Sequence, residues 1–244
     1  MAANSMYLYG KNSVAERLKA NPKTIKKIFL QNNFNASELL DLIKSSGIPT
    51  KYFTQRDLSR IKRADRLQGI VAEIDRFNYT PFERLLDNKG LSLIFVDNIN
   101  DPHNLGSIIR TAACFGKFAV IIPRHSSCEV NDTVMHVASG GENFAAVSVV
   151  NNMSTALIKA KKAGFWVAGA VVEDGENVSQ TSLPFPLCLV LGSEGKGIRH
   201  GVKKQLDLRI SLPMSGAPLS FNVAMACAMF CYEIVRQKHY ANKN

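Results

Sequence analysis

The chain is expected to be an α/β protein in which a parallel sheet, covered on both faces by helices, follows a small α/β unit. Three observations predict this. From residue 91 on, strongly apolar strand-like runs alternate with helix-like stretches, the pattern of a sheet buried on both sides. The first 75 residues alternate shorter β-like and helix-like pieces and are strongly basic. Between them RFNYTPFERLLDNKG, residues 76–90, loses regular alternation and carries a Pro and a Gly. The expected division is one unit over 1–76, a linker over 77–90 and a second unit over 91–244. With 244 residues, 46% of them apolar, either one large domain or two smaller ones can bury a core.

In the first unit the pattern predicts strand Tyr7–Tyr9, a helix near Asn12–Ala20, strand Lys26–Leu30, a helix near Ser37–Ser46, strand Thr50–Phe53, and a closing strand-like Gln68–Ile74. In the second it predicts strand Leu91–Val96, helix Leu105–Phe115, strand Ala119–Ile122, helix Asp132–Ala138, strand Ala146–Val150, helix Ser154–Ala163, strand Trp166–Val171 and strand Leu187–Leu191. A last helix opens at Val223 and is apolar on all sides as far as Cys231, which predicts that it is buried, in the core or at a subunit interface. Parallel sheets bind ligands at the carboxyl ends of their strands, so the loops after these strands are the places to search for chemistry.

Composition narrows the function classes. Thirty Lys and Arg against twenty Asp and Glu give a formal charge of +10, which favours a polyanionic partner through phosphate contacts and counterion release. The charge is dense in the first unit, at Lys19, Lys23, Lys26, Lys27, Arg56, Arg60, Lys62, Arg63 and Arg66, as suits an RNA-docking module. No apolar run approaches the roughly 18 residues of a membrane span, and the opening residues lack an apolar signal core, so the expected compartment is the cytoplasm. The five cysteines are scattered and odd in number, as suits reduced thiols. Cys227 and Cys231 are four apart on a helix, but no second close pair completes a tetrahedral site, so no metal is expected.

Three segments carry candidate chemistry. DNINDPHNLGSIIRTAACFG, residues 97–116, follows a strand and opens a helix whose apolar face is Leu105, Ile108, Ile109, Ala112 and Ala113. Asn104 is most simply its N-cap, whereas Arg110, a guanidinium amid Ile and Ala, calls for an anionic partner such as phosphate. LCLVLGSEGKGI, residues 187–198, runs a strand into three glycines around Glu194, where backbone or ligand can approach closely. Its spacing matches neither the dinucleotide fingerprint nor the triphosphate loop. ISLPMSGAPLSFNVAMACAMFCYEIVRQ, residues 210–237, delivers Ser220 and Asn222 to a helix start, where Ser220 is a simple cap.

Together these segments resemble the signature motifs of the SpoU family, the TrmH-like RNA methyltransferases of the SPOUT type. Residues 6–75, especially YGKNSVAERL and the closing QGIVAEI, resemble the RNA-binding extension of the family's RlmB-type rRNA enzymes. The resemblance implies a deep trefoil knot at the carboxyl end of the sheet, S-adenosylmethionine as cofactor, and a homodimer. It implies that the backbones near Gly192, Leu212 and Phe221 hold the cofactor, with Met214 and Asn222 alongside. It also places Asn104, Arg110, Glu194, Ser220 and Asn222 at catalytic or RNA-facing positions. The implied reaction is methylation of a ribose 2′-hydroxyl in RNA, a guanosine of large-subunit rRNA before tRNA. In that reaction the site aligns two atoms and removes a proton. A guanidinium holds its proton tightly, which favours Arg110 as organiser of phosphate and hydroxyl and leaves its role as base open.

The sequence departs from the family pattern at Phe221, where Leu is usual, at Ala217-Pro218-Leu219, where a polar residue is more common, and at Leu67, where a His commonly precedes Gln-Gly. Two rival readings are weaker. A non-catalytic RNA-binding assembly factor has no need of Arg110, Glu194 and Asn222 together, and a nucleotide-cofactor oxidoreductase lacks its glycine fingerprint.

Overall fold

The computed structural model describes residues 5–241 apart from Asp65, Glu194 and Pro218. In chain order the first unit comprises β1 (Ser5–Tyr9), α1 (Lys11–Ala20), β2 (Ile25–Gln31), α2 (Ser37–Ser46), β3 (Thr50–Phe53), α3 (Gln55–Ile61) and β4 (Ile70–Asp75). Its four strands form one sheet in the order β1-β4-β2-β3, antiparallel except for the β2–β3 pair. Leu8, Ile28, Leu30, Ile70, Ala72 and Ile74 alternate onto one face of this sheet, and α1 and α2 cover it with Val14, Leu18, Leu39 and Ile43. On the other face Tyr9, Phe29 and Val71 meet Leu58 of α3. Leu67 joins this second cluster, so a side chain that packs stands where the resemblance led one to expect a His. Helix α3 was not anticipated, although its start is marked by Thr54, which accepts from the Asp57 N–H.

The second unit opens with α4 (Phe82–Leu86), inside the segment read from sequence as a linker. That segment is part of the packing. Phe82 meets Phe95 edge-on at 5.9 Å, and the Thr80 N–H bonds the Val147 carbonyl at 2.8 Å. There follow β5 (Ser92–Val96), α5 (Pro102–Phe115), β6 (Phe118–Pro123), α6 (Asp132–Ala138), β7 (Ala146–Val150), α7 (Met153–Lys162), β8 (Trp166–Ala170), β9 (Glu176–Asn177), β10 (Leu187–Leu191), α8 (His200–Lys203), β11 (Leu208–Ser211) and α9 (Val223–Ala241). The seven strands pair in parallel throughout, in the order β7-β6-β5-β10-β8-β11-β9. Strands β5, β6 and β10 are buried at every residue because α5, α6 and α9 cover one face and α4 and α7 the other.

This order decides where the site lies. The chain builds outward from β5 to β7, then returns to the other side and inserts β10 between β5 and β8. The carboxyl ends of β5, β10, β8 and β11 therefore meet at the switch in strand order, where α/β sheets open a crevice. Short elements such as β9, β11 and α8 lie beyond the reach of periodicity, which needs several turns or alternations to register.

The two units touch through β1, α1 and α6. The Tyr7 N–H donates to Asp132 Oδ1 at 3.2 Å, and Lys62 Nζ reaches Asp132 Oδ2 at 2.5 Å. The His136 ring stacks on Tyr9 at 4.2 Å, and Arg17 pairs with the buried Glu142 at 3.1 Å. Helices α5 and α6 are in close contact because Gly106 has no side chain: an added Cβ would lie 2.7 Å from the Val134 carbonyl oxygen and Val137 Cβ.

Candidate active site

A cavity of about 530 Å³ opens at the carboxyl edge of the large sheet. Gly192 and its neighbours leave β10 and form one wall, where Ser193 and Gly197 pair as an isolated bridge. A Cβ on Gly192 would fall 2.2 Å from the Gly197 carbonyl carbon and 2.3 Å from the Ile198 nitrogen, so this tight reversal of the chain requires glycine there. Leu212 and Met214 approach from the end of β11, and Ser220 and Phe221 from the start of α9. Val223, Ala226 and Phe230 of α9 supply an apolar floor, while Glu173, Asp174, Lys203 and Arg209 bring charge to the lining.

Of the residues singled out from sequence, Gly192, Leu212, Met214, Ser220 and Phe221 share this lining. Glu194 lies outside the described residues; its neighbours Ser193 and Gly195 both line the cavity. Asn222 lies beside the lining, its Nδ2 donating to Asn104 Oδ1 at 2.9 Å and its Oδ1 accepting from the Ala224 N–H. This bond ties the first motif to the third across 118 positions of sequence.

Both caps differ from the sequence expectation. Asp101, not Asn104, caps α5, accepting from the His103 N–H, and Pro102 takes the first helical position, which places Asn104 within the first turn. Asn222, not Ser220, caps α9, which leaves the Ser220 side chain to the cavity.

Arg110 is also placed differently. Six residues along a helix amount to about 9 Å of rise and about 240° of turn, so Asn104 and Arg110 cannot face the same side of α5. Leu105, Ile108, Ile109 and Ala112 are buried, whereas Arg110 is exposed, so its fold environment does not require an anion to offset burial. It opens instead on a second cavity between the two units.

Two groups that hold the site were missed. Asp97, fully buried at the end of β5, accepts from the Arg199 N–H at 2.9 Å and from Arg199 Nε at 2.7 Å, and so fixes the chain where it leaves the glycine loop. Glu173 and Asp174 follow β8, and the rule that sites collect at strand carboxyl ends was enough to point to them. Cys188 and Cys227 are not candidates for nucleophiles: burial pushes Cys188 far up, and contact with Cys231, reinforced by burial, does the same to Cys227. Among the described residues, no group of three or more His, Cys, Asp or Glu is arranged to hold a metal, and no helix is long and apolar enough to cross a membrane.

The model of the SpoU rRNA methylase family matches residues 92–232, and that for RNA 2′-O ribose methyltransferase substrate binding matches residues 7–80. Together with the parallel sheet and the cavity at its switch point, these matches define an RNA 2′-O-ribose methyltransferase. The chain belongs to the SpoU rRNA methylase family. It is 33% identical to the 23S rRNA (guanosine-2′-O-)-methyltransferase RlmB of Neisseria meningitidis, over 99% of each chain. It is 31% identical to the enzyme of the same name from Nitrosomonas europaea, over 96% of this chain and 92% of that one. The crystal structure of the SpoU methyltransferase AviRb from Streptomyces viridochromogenes in complex with AdoMet shares the fold, with a TM-score of 0.82 at 19% identity, covering 98% of this chain and 92% of the other.

Proposed function

We propose that this protein methylates the 2′-hydroxyl of a guanosine in large-subunit rRNA, with S-adenosylmethionine bound in the cavity at the switch point. The observation that carries the reading is the convergence of Gly192, from the 187–198 segment, and of Leu212, Met214, Ser220 and Phe221, from the 210–237 segment, on that one cavity. Its volume suits a small-molecule site. Its apolar floor suits an adenine, and the carboxylates and cations of its lining suit ribose hydroxyls and an amino-acid zwitterion. When bound, the cofactor supplies an electrophilic sulfonium methyl. The chain supplies position: Asn104 and Asn222 are joined beside the cavity, Ser220 offers a hydroxyl to it, and the family resemblance gives Glu194 a catalytic or RNA-facing role. Arg110 holds the phosphate next to the target ribose and orients the hydroxyl.

Arg110 and the cofactor cavity open on different sides of one chain, which supports a homodimer in which one copy presents Arg110 to its partner's cavity. The open face of α9 supports the same arrangement. Sequence periodicity had this helix buried on all sides; in one chain Met225 and Tyr232 are each 60% exposed. We assign residues 1–76 to RNA binding, 77–90 to the connection and 91–244 to catalysis. Threading of the second and third motifs, residues 187–198 and 210–237, as a trefoil belongs to the same proposal, as does a cytoplasmic location. The rRNA target is supported by the named activity of the two RlmB relatives.

The test is methyl transfer from radiolabelled S-adenosylmethionine to unmodified rRNA and, separately, to tRNA, with label mapped by alkali-resistant linkages. Ribose label in rRNA, lost in Arg110→Ala, is the expected result. Label confined to tRNA would move the substrate, and label in neither RNA would leave a binding protein.

A further inference from the structure

Between the two units lies a second cavity, of about 830 Å³, walled on one side by the first unit and on the other by α5 and α6. Arg63, Arg66 and Gln68 face it from the first unit; His103, Arg110 and His136 face it from the second. No carboxylate occurs among its described lining residues. Five other basic side chains of the first unit are answered by carboxylates within the chain: Arg17 by Glu142, Lys19 by Glu16, Lys26 by Asp75, Arg60 by Asp57, and Lys62 by Asp132. Arg63 and Arg66, one to four positions beyond Lys62, have no such partner among the described residues, nor has Arg110. Three guanidiniums gathered around one cavity repel one another, and only an anion of matching extent turns that repulsion into attraction.

We infer that this cavity is a binding site for the phosphodiester backbone of the substrate RNA, in which Arg63 and Arg66 grip phosphates on the strand that Arg110 also contacts. The inference rests on RNA as the substrate, and on no feature of the cofactor cavity. Guanidinium forks suit phosphate oxygens, while Gln68, Asn12, Thr133 and Ser139 line the same space with groups able to bond ribose hydroxyls. The site needs both units. His136 is held in its wall by stacking on Tyr9 and by its Nδ1 contact, at 3.0 Å, with the Tyr9 carbonyl. Strand β1 and helix α6 therefore fix the cavity's width, and RNA bound there spans the joint between the units.

The experiment compares the full-length wild type with Arg63→Ala/Arg66→Ala and with Lys162→Ala/Lys204→Ala. The last removes the same charge from exposed positions remote from the cavity. Binding of a labelled single-stranded oligoribonucleotide is followed by fluorescence anisotropy as a function of salt, and S-adenosylmethionine binding by calorimetry. The cavity variant is expected to bind RNA about tenfold or more weakly, with the slope of log affinity against log salt reduced by about 1.4, two phosphate contacts' worth. The Lys variant should change affinity by less than about threefold, since it removes general charge only. Equal losses in the two variants would overturn the inference. Arg63→Gln/Arg66→Gln keeps a polar side chain without the charge and must reproduce the loss, while S-adenosylmethionine binding equal to that of the wild type in both cavity variants shows that the fold is kept. Failure of the wild type to bind S-adenosylmethionine, with the two variants still differing on RNA, would strike the proposed function and leave this site standing.

Discussion

Asp97 directly follows β5 and has no contact with solvent, yet its two oxygens hold the backbone N–H and the guanidinium of Arg199, one residue past the glycine loop. Replacing it by Asn keeps the shape and turns one acceptor into a donor facing another donor. Hydrogen bonds to charged groups are worth about 1.5–3 kcal/mol, and Arg199 is 44% exposed, so the lower end applies. Asp97→Asn is expected to lower unfolding free energy by about 1.5 kcal/mol and to weaken S-adenosylmethionine binding about tenfold through the loosened loop. Urea titration and calorimetry check both; unchanged affinity would mean that the 192–198 segment holds its shape without Asp97.

Helix α9 leaves large apolar side chains open to solvent, Met225 and Tyr232 each being 60% exposed. Val223, Cys227, Phe230, Cys231 and Ile234 pack inward against the sheet and α5. Met225, Met229 and Tyr232, at i, i+4 and i+7, form a stripe on the side that the chain leaves open. Sequence could show that the helix was apolar all round, but which part the chain itself leaves open depends on the direction from which the sheet packs. A charge in this stripe should separate the copies: Met225→Glu/Tyr232→Glu is expected to run as a monomer in light scattering where the wild type runs as a dimer. It should also lose methyl transfer while still binding S-adenosylmethionine. A dimeric mass for the variant would place the interface elsewhere.

Across the whole molecule, the joint between the units contains a buried ion pair, Arg17 with Glu142, whose side chains are 8% and 0% exposed. Arg17 Nε and Glu142 Oε2 have no hydrogen-bond partner among the described residues, so the pair is incompletely satisfied. Breaking one side leaves a buried charge and is expected to destabilise by about 3–5 kcal/mol, whereas Arg17→Met/Glu142→Leu should be close to neutral or stabilising. Burial outweighs Arg17 and raises the Glu142 carboxyl above its ordinary 4.5. A raised carboxyl contributes stability below its unfolded value and loses it as pH rises through its folded value. Wild-type stability relative to the double variant should therefore fall as pH climbs from about 4.5 into the mildly acidic range. A difference that stays flat across that window would show that the pair does not govern the joint.

The sequence by itself determined the alternation of strands and helices, the division of charge between the two units, and the three segments that carry the site, because periodicity and composition are local properties of the chain. Helices Ser37–Ser46 and Asp132–Ala138 and strands Thr50–Phe53, Ala146–Val150 and Leu187–Leu191 have the bounds that their patterns gave. Only the tertiary structure decided that β10 enters between β5 and β8, which brings Gly192 beside Asp97 and joins Asn222 to Asn104. It decided too that Arg110 opens on the cavity lined by Arg63 and Arg66, which sit more than forty positions earlier in the chain, and not on the cavity at the carboxyl edge of the large sheet. Strand order and the facing of one unit on another arise from contacts between distant residues, and no local pattern records them.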